Sequence, residues 1–190
     1  MRILGISGSL RRDSHNTALL RAAAELLPDD VEFEIWDGLK TVPPYDQDDD
    51  TAEAPAEAVE LRSRFAGADA VLIATPEYNA SIPGQLKNAL DWVSRPVISN
   101  PLRNKPAAVV GASTGAFGAV WAQAELRKVL STIGARTLPN EVAVRHADTC
   151  FEDGRLIDDG VRAQLAETLD DLVAATRARA EARAGAPFAA

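Results

Sequence analysis

Three short stretches hold the residues best suited to bind a ligand. The first is Ser7-Gly8-Ser9-Leu10-Arg11-Arg12-Asp13-Ser14-His15-Asn16-Thr17. It joins an apolar run to a helical pattern, so it ends at a helix amino terminus. That end carries free N–H groups and partial positive charge, which suits an anion. Ser9, Ser14, Asn16 and Thr17 can donate hydrogen bonds, and Arg11 can add a charge-assisted one. Together these groups could surround a terminal phosphate monoester. Ser14 or Asn16 could instead merely cap the helix. Asp13 could cap it too, or neutralise Arg12. His15 reads as an exposed loop residue rather than a catalytic base.

The second stretch is Thr75-Pro76-Glu77-Tyr78-Asn79-Ala80-Ser81-Ile82-Pro83-Gly84. Two prolines stiffen it, and the residues before them stay extended. Such a loop of N–H groups and small residues could lie along a flat ring. Tyr78 could equally serve packing or an interface, and Glu77 and Asn79 could bond the chain to itself. The third stretch, Gly111-Ala112-Ser113-Thr114-Gly115-Ala116-Phe117-Gly118, is a turn-like mixture of glycine and hydroxyl residues. Neither a phosphate-binding P-loop nor the G-x-G-x-x-G fingerprint occurs in the first stretch, so a mononucleotide fits better than a tightly held dinucleotide.

The elements that must position these loops follow from periodicity. Residues 3–7 read as a strand, and 14–27 as a helix with Leu19, Leu20, Ala23, Leu26 and Leu27 at helical spacing, stopped by Pro28. Residues 31–36 alternate Val31, Phe33 and Ile35 with Glu32 and Glu34, the pattern of a more exposed strand. Residues 37–54 form a loop with Pro43-Pro44 and the acidic run 46–50, read as solvated. A helix is predicted over 55–66. Residues 69–75 are a continuous apolar run, as in a buried parallel strand. Further helices are predicted over 83–93, 117–133 (ended by Gly134) and 161–179. A buried strand is predicted over 106–113, and a strand broken by Pro139 over 136–144. Five strands with intervening helices predict an α/β doubly wound sheet with helices on both faces. Ligands bind at the carboxyl ends of such strands, and all three stretches lie there. Residues 1–180 read as one domain and 181–190 as a flexible tail.

Composition limits the function classes. At 190 residues, 46% hydrophobic and 25% charged, the chain is an ordinary folded domain. A net charge of -8 disfavours nucleic acid and anionic membranes as partners. The single cysteine, Cys150, rules out an internal disulfide, and no Cys/His cluster suggests zinc. The apolar start is too short for a signal peptide, and no run reaches the ~20 residues of a membrane span. The expected location is the cytoplasm. A phospho-acceptor signalling domain is disfavoured, because Thr75-Pro76 stands where an aspartate is needed.

Together the segments Gly8-Ser9-Leu10-Arg11-Arg12-Asp13-Ser14-His15-Asn16 and Thr75-Pro76-Glu77-Tyr78-Asn79-Ala80-Ser81-Ile82-Pro83-Gly84-Gln85-Leu86-Lys87-Asn88-Ala89-Leu90-Asp91-Trp92 resemble the NADPH-dependent FMN reductase family, which includes quinone, chromate and azo reductases. The resemblance covers nearly the whole chain. It implies a flavodoxin-like five-stranded parallel sheet and FMN as cofactor. It further implies that Ser9, Arg11, Ser14, Asn16 and Thr17 hold the FMN phosphate. Pro76, Glu77, Tyr78 and Asn79 would lie against the isoalloxazine, and Ser113, Thr114 and Gly115 would contact its pyrimidine side. Ala80 follows the Pro-Glu-Tyr-Asn stretch, and a residue that small could widen the acceptor site the resemblance implies. The implied activity is transfer of electrons from NAD(P)H, in a ping-pong sequence, to quinones, free flavin, azo compounds or chromate. The flavin carries that chemistry, so no side chain is assigned as catalytic acid or base. The alternatives are a flavodoxin-like electron carrier and a non-enzymatic flavoprotein adaptor. A homodimer or homotetramer is expected, because the helix over 83–93 carries Leu86, Ala89, Leu90, Trp92 and Val93, more apolar surface than one sheet face needs. Trp92 could instead fill the monomer core.

Overall fold

A computed structural model describes residues 1–185. Three apolar runs make the middle of one sheet: β1 (Arg2–Ser7), apolar from Ile3 to Ile6, β3 (Ala70–Ala74) and β4 (Pro106–Ala112). Such runs suit strands covered on both faces. β2 (Glu32–Trp36) alternates and lies at the edge beside β1. The strand order is β2-β1-β3-β4 followed by the fifth position, and every pairing in this sheet is parallel. The fifth strand is broken, as its proline predicts. Its first piece, β5 (Arg136–Thr137), pairs with the start of β4, and its second, β6 (Val142–Val144), pairs with the end. Pro139 lies between them and has no N–H to give the ladder. The chain winds from β1 to one side and then back across to β3, so the crevice outside the ends of β1 and β3 is the topological switch point.

Alternate side chains of the central strands meet different helices. Leu4, Ile6, Val71, Ile73 and Val109 pack with α2 (Ala56–Gly67), α3 (Gly84–Val93) and α4 (Val120–Ile133). Ile3, Leu72, Ala74, Ala108 and Val110 pack with α1 (His15–Leu26) and α6 (Asp159–Ala184). Among the described residues no helix is long and apolar enough to cross a membrane.

Four expectations change. First, α3 buries Leu86, Ala89, Leu90, Trp92 and Val93 inside its own chain. The Trp92 indole donates to the Pro43 carbonyl at 2.9 Å and meets Tyr45 edge-on. The loop after β2 covers the apolar stripe, so α3 leaves no surplus for a partner subunit. Second, α4 starts at Val120 rather than 117, because Gly118 and Ala119 both take left-handed backbone angles that no helix continues. Third, α6 starts at Asp159 and runs to Ala184, beyond the expected 161–179. Asp158 caps it by accepting from the Val161 N–H at 2.8 Å. Alanine and arginine, which dominate its last two turns, are strong helix formers. Of the expected tail, 181–184 are therefore helical, and 186–190 lie outside the described residues. Fourth, a short helical turn, α5 (Ala147–Cys150), and a hairpin, β7 (Phe151–Glu152) with β8 (Arg155–Leu156), were not anticipated.

Candidate functional site

The first loop leaves β1 at Ser7. The Gly8 N–H still donates to the Ala74 carbonyl at 2.8 Å, so the loop starts flush with β3. A side-chain carbon on Gly8 would come within 2.9 Å of Leu86 and 3.3 Å of Pro76. Glycine thus lets the first loop lie directly on the second. Thr17 donates its hydroxyl to Ser7 Oγ at 3.0 Å, and Ser7 Oγ accepts from the Ser9 N–H at 3.3 Å. Thr17 therefore braces the loop from behind rather than facing the crevice.

Ser14 caps α1, accepting from the Thr17 N–H at 3.4 Å. That bond is long, so the hydroxyl is weakly committed. Asn16 is fully committed. Its Nδ2 donates to the Ala112 carbonyl at 2.9 Å, and its Oδ1 accepts from the Ala112 N–H at 3.0 Å. The expected amide donation to a ligand is thus replaced by a latch between α1 and β4. What Asn16 can still offer is its backbone N–H, with that of His15, in the first turn that helices leave without internal partners.

The second loop is tied down equally. Glu77 Oε2 accepts from the N–H groups of Trp121 and Ala122, both at 3.1 Å. It serves α4 as a cap from a distance, since Ala119, at the helix start, has no side-chain acceptor. Tyr78 and Ser81 exchange backbone hydrogen bonds at 3.0 and 3.1 Å. Asn79 and Ala80 between them have φ of 54° and 59°. Two positive φ values make a tight primed turn, which fixes the backbone of Tyr78 and leaves its ring half exposed.

The third loop is held from β6 and α5. The Ser113 N–H donates to the Val144 carbonyl at 3.0 Å, and the Ala147 N–H donates to the Ser113 carbonyl at 3.0 Å. The Ser113 hydroxyl accepts from the Gly115 N–H at 3.1 Å.

These loops enclose a cavity of about 170 Å³ lined by Ser9, Arg11, Ser14, His15, Asn16, Pro76, Glu77, Tyr78, Ala112, Ser113 and Thr114. Of the residues singled out from the sequence, Thr17, Asn79 and Gly115 are absent from the lining. Ala112 is present without having been singled out, and His15, read as an exposed loop residue, is instead the first residue of α1, half-buried in the lining. His15 sits at the helix start, a position readable from the cap. Ala112 has no side-chain signal, because its backbone is what the site uses. A second cavity of about 330 Å³ lies against Gly8, Leu10, Pro83, Gly84 and Gln85, with Arg11 and Tyr78 shared between the two. The lining is dominated by donors: the first N–H groups of α1, the hydroxyls of Ser9, Ser14, Ser113 and Thr114, and the exposed Arg11. Its one carboxylate among the described residues, Glu77, has an oxygen spent on α4. An anion at the end of α1 is the occupant this chemistry favours. The smaller cavity has room for a phosphate group but not for a tricyclic ring, which the stiff outer edges of the second and third loops could flank.

Comparison with known proteins gives the same direction. Residues 1–149 match the family model described as NADPH-dependent FMN reductase. The chain is 41% identical over 174 residues to an NAD(P)H-dependent FMN reductase of Pseudomonas aeruginosa, covering 90% of this chain and 93% of that one. It is 38% identical over 181 residues to a 2-hydroxy-1,4-benzoquinone reductase of a Burkholderia species, covering 94% and 98%. Among solved structures it resembles FerB, a flavoenzyme NAD(P)H:(acceptor) oxidoreductase of Paracoccus denitrificans, with TM-score 0.82 and 36% identity over 93% of this chain and 97% of that one.

Proposed function

The chain belongs to the NADPH-dependent FMN reductase family, and from that premise we propose that it binds FMN in the crevice at the end of α1 and reduces quinones at the expense of NAD(P)H. The observation that carries the reading is the donor-lined pocket where the α1 amino terminus meets the second and third loops. Bound FMN would supply two-electron exchange with nicotinamide and with acceptor. The chain's own residues bind and orient. Ser9, Arg11, Ser14 and the N–H groups of His15 and Asn16 would hold the phosphate. Pro76, Glu77, Tyr78 and Asn79 would flank the ring on one side, and Ser113, Thr114 and Gly115 on the other. Thr17 acts through Ser7, as a brace.

The kinetic order follows from space. The chain has no second glycine-rich dinucleotide loop to hold the pyridine nucleotide elsewhere, so donor and acceptor share one open face. Reciprocal plots of rate against NAD(P)H, at several quinone concentrations, should be parallel. Intersecting lines would defeat the shared face. An inability to oxidise either nicotinamide would favour an electron carrier instead.

Arg11→Ala should weaken FMN binding by roughly 1.5–3 kcal/mol, the range for a hydrogen bond to a charged group. Riboflavin, which lacks the phosphate, should lose far less. Fluorescence titration with both flavins checks this, and equal losses would make Arg11 a structural residue.

The reading includes assembly into a homodimer or homotetramer, with a seat other than α3. The exposed apolar side chains that remain include Val97 and Ile98 after α3, and the Phe117–Trp121 pair, whose rings lie 4.8 Å apart. Light scattering should give a multiple of 20.2 kDa, and the monomer mass itself at micromolar concentration would remove this part of the proposal.

A further inference from the structure

A cavity of about 700 Å³ opens at the other end of the sheet, by the starts of β4 and β5 and the last turns of α6. Arg103, Arg136, Arg179 and Arg183 ring it, and among the described residues no carboxylate lines it. Its floor is apolar: Pro106, Leu138 and the alanine face of α6. None of the four arginines makes an ion pair among the described residues, whereas six other arginines of the chain do. In a chain of net charge -8 that concentration runs against the average.

Arg103, Arg136 and Arg183 are exposed, but part of the positive charge at the groove is withdrawn from water. Arg179 is half-buried, and burial, followed by Arg183, pushes its pKa down. Lys105 lies buried nearby, with Nζ donating to the carbonyls of Phe65 and Ala68 at the end of α2. Burial first, then Arg179, lowers its pKa to about 8. Asp69 opposes both shifts, but its carboxylate already accepts from the Arg2 N–H at 2.9 Å. An arginine face that served solvation alone would not surround an apolar floor. Guanidinium forks match phosphate oxygens two at a time, and cavities of roughly 300–1,000 Å³ accept ligands of nucleotide size.

We infer that this groove is a second ligand site, which binds an organic phosphate: the phosphate between the arginines of α6 and β5, and the apolar body on the alanine floor. The site is separate from the flavin loops, with the length of β4 between them. The inference does not rest on the flavin reading.

Calorimetric titration of FMN-loaded protein, freed of unbound flavin, with phenyl phosphate and with inorganic phosphate tests it. Loading with one FMN per chain fills the α1 pocket if phosphate goes there, and leaves no free FMN to compete for the groove. Saturable binding of one phenyl phosphate per chain is expected, tighter than inorganic phosphate and weakened by salt. The double variant Arg179→Gln/Arg183→Gln should bind about tenfold more weakly or worse, given the strength of hydrogen bonds to charged groups. Arg136→Gln, on the sheet, should weaken binding too, so the test does not depend on the end of α6 staying helical. Arg11→Gln should bind as the wild type does. A heat that never saturates at millimolar phenyl phosphate would overturn the inference. So would binding that ignores the α6 and β5 variants, or that is lost with Arg11→Gln.

Discussion

Asn16→Ala should lower the unfolding free energy by about 2–4 kcal/mol, because it strands two buried backbone groups at once. Ala112 is the last residue of β4, and its partner strand on the fifth-strand side is β6. On the other side, the β3 ladder reaches only Val110, where the Thr75 N–H donates to the Val110 carbonyl at 2.9 Å. Beyond it the Asn16 amide takes the place of a strand, giving and receiving one hydrogen bond with Ala112 across 96 positions of sequence. Asn16 is only 3% exposed, so water cannot readily replace the amide. Asn16→Asp should not rescue, since a carboxylate would accept from the Ala112 N–H but face the Ala112 carbonyl with no hydrogen to share. The variant should also weaken riboflavin and FMN alike, because the latch aligns the first loop with the third. That separates it from Arg11→Ala, where only the phosphate-bearing ligand should suffer. Urea unfolding followed by circular dichroism decides the stability claim; a variant within about 0.5 kcal/mol of wild type, the range of neutral surface changes, would contradict it.

The reach of the sequence is plain from this residue. That Asn16 belonged to the crevice was legible, because it follows a cap at the end of a strand-to-helix loop. What its side chain did there was not, because its partner is a backbone group with no side-chain signature. Glu77 is the same case, with its partners Trp121 and Ala122 on another helix. The sheet was legible for the opposite reason. Strands buried on both faces must be apolar throughout, and an edge strand must alternate, whatever surrounds them. The α3 stripe showed that something would cover Leu90 and Trp92, but not that the 37–54 loop would do it rather than a second subunit. The hairpin after α5 had a readable signal in Asp153-Gly154, whose φ values of 48° and 78° fit a two-residue primed turn. Its strands of two residues are too short to show a period.

Gly118→Ala should cost about 2–5 kcal/mol, from two sources that act together. The residue has φ of 60°, where any side chain costs roughly 1–2 kcal/mol. The added carbon would also lie 2.6 Å from the carbonyl carbon of Ala143 and 2.8 Å from its oxygen. Overpacking of this kind costs typically about 1–3 kcal/mol. The obstacle is backbone, so no rotamer change relieves it. Ala143 stands opposite Gly111 in the pairing of β6 with β4, and moving it disturbs the register that supports Ser113. Moving Gly118 instead disturbs the start of α4, where the Gln123 side-chain amide donates to the Gly118 carbonyl at 3.1 Å. Either shift reaches the third loop, so flavin affinity should fall with stability. Gly84→Ala provides the contrast. An added carbon there meets nothing within 4 Å, and the residue opens α3. Alanine should be neutral or stabilise by up to about 1 kcal/mol, through its better helix propensity and its less flexible unfolded chain. Thermal melts of the two variants should therefore move in opposite directions or leave only Gly118→Ala displaced. If Gly118→Ala melts with the wild type, the β6 backbone yields more easily than its packing implies, and the third loop is not held by the contact assigned here.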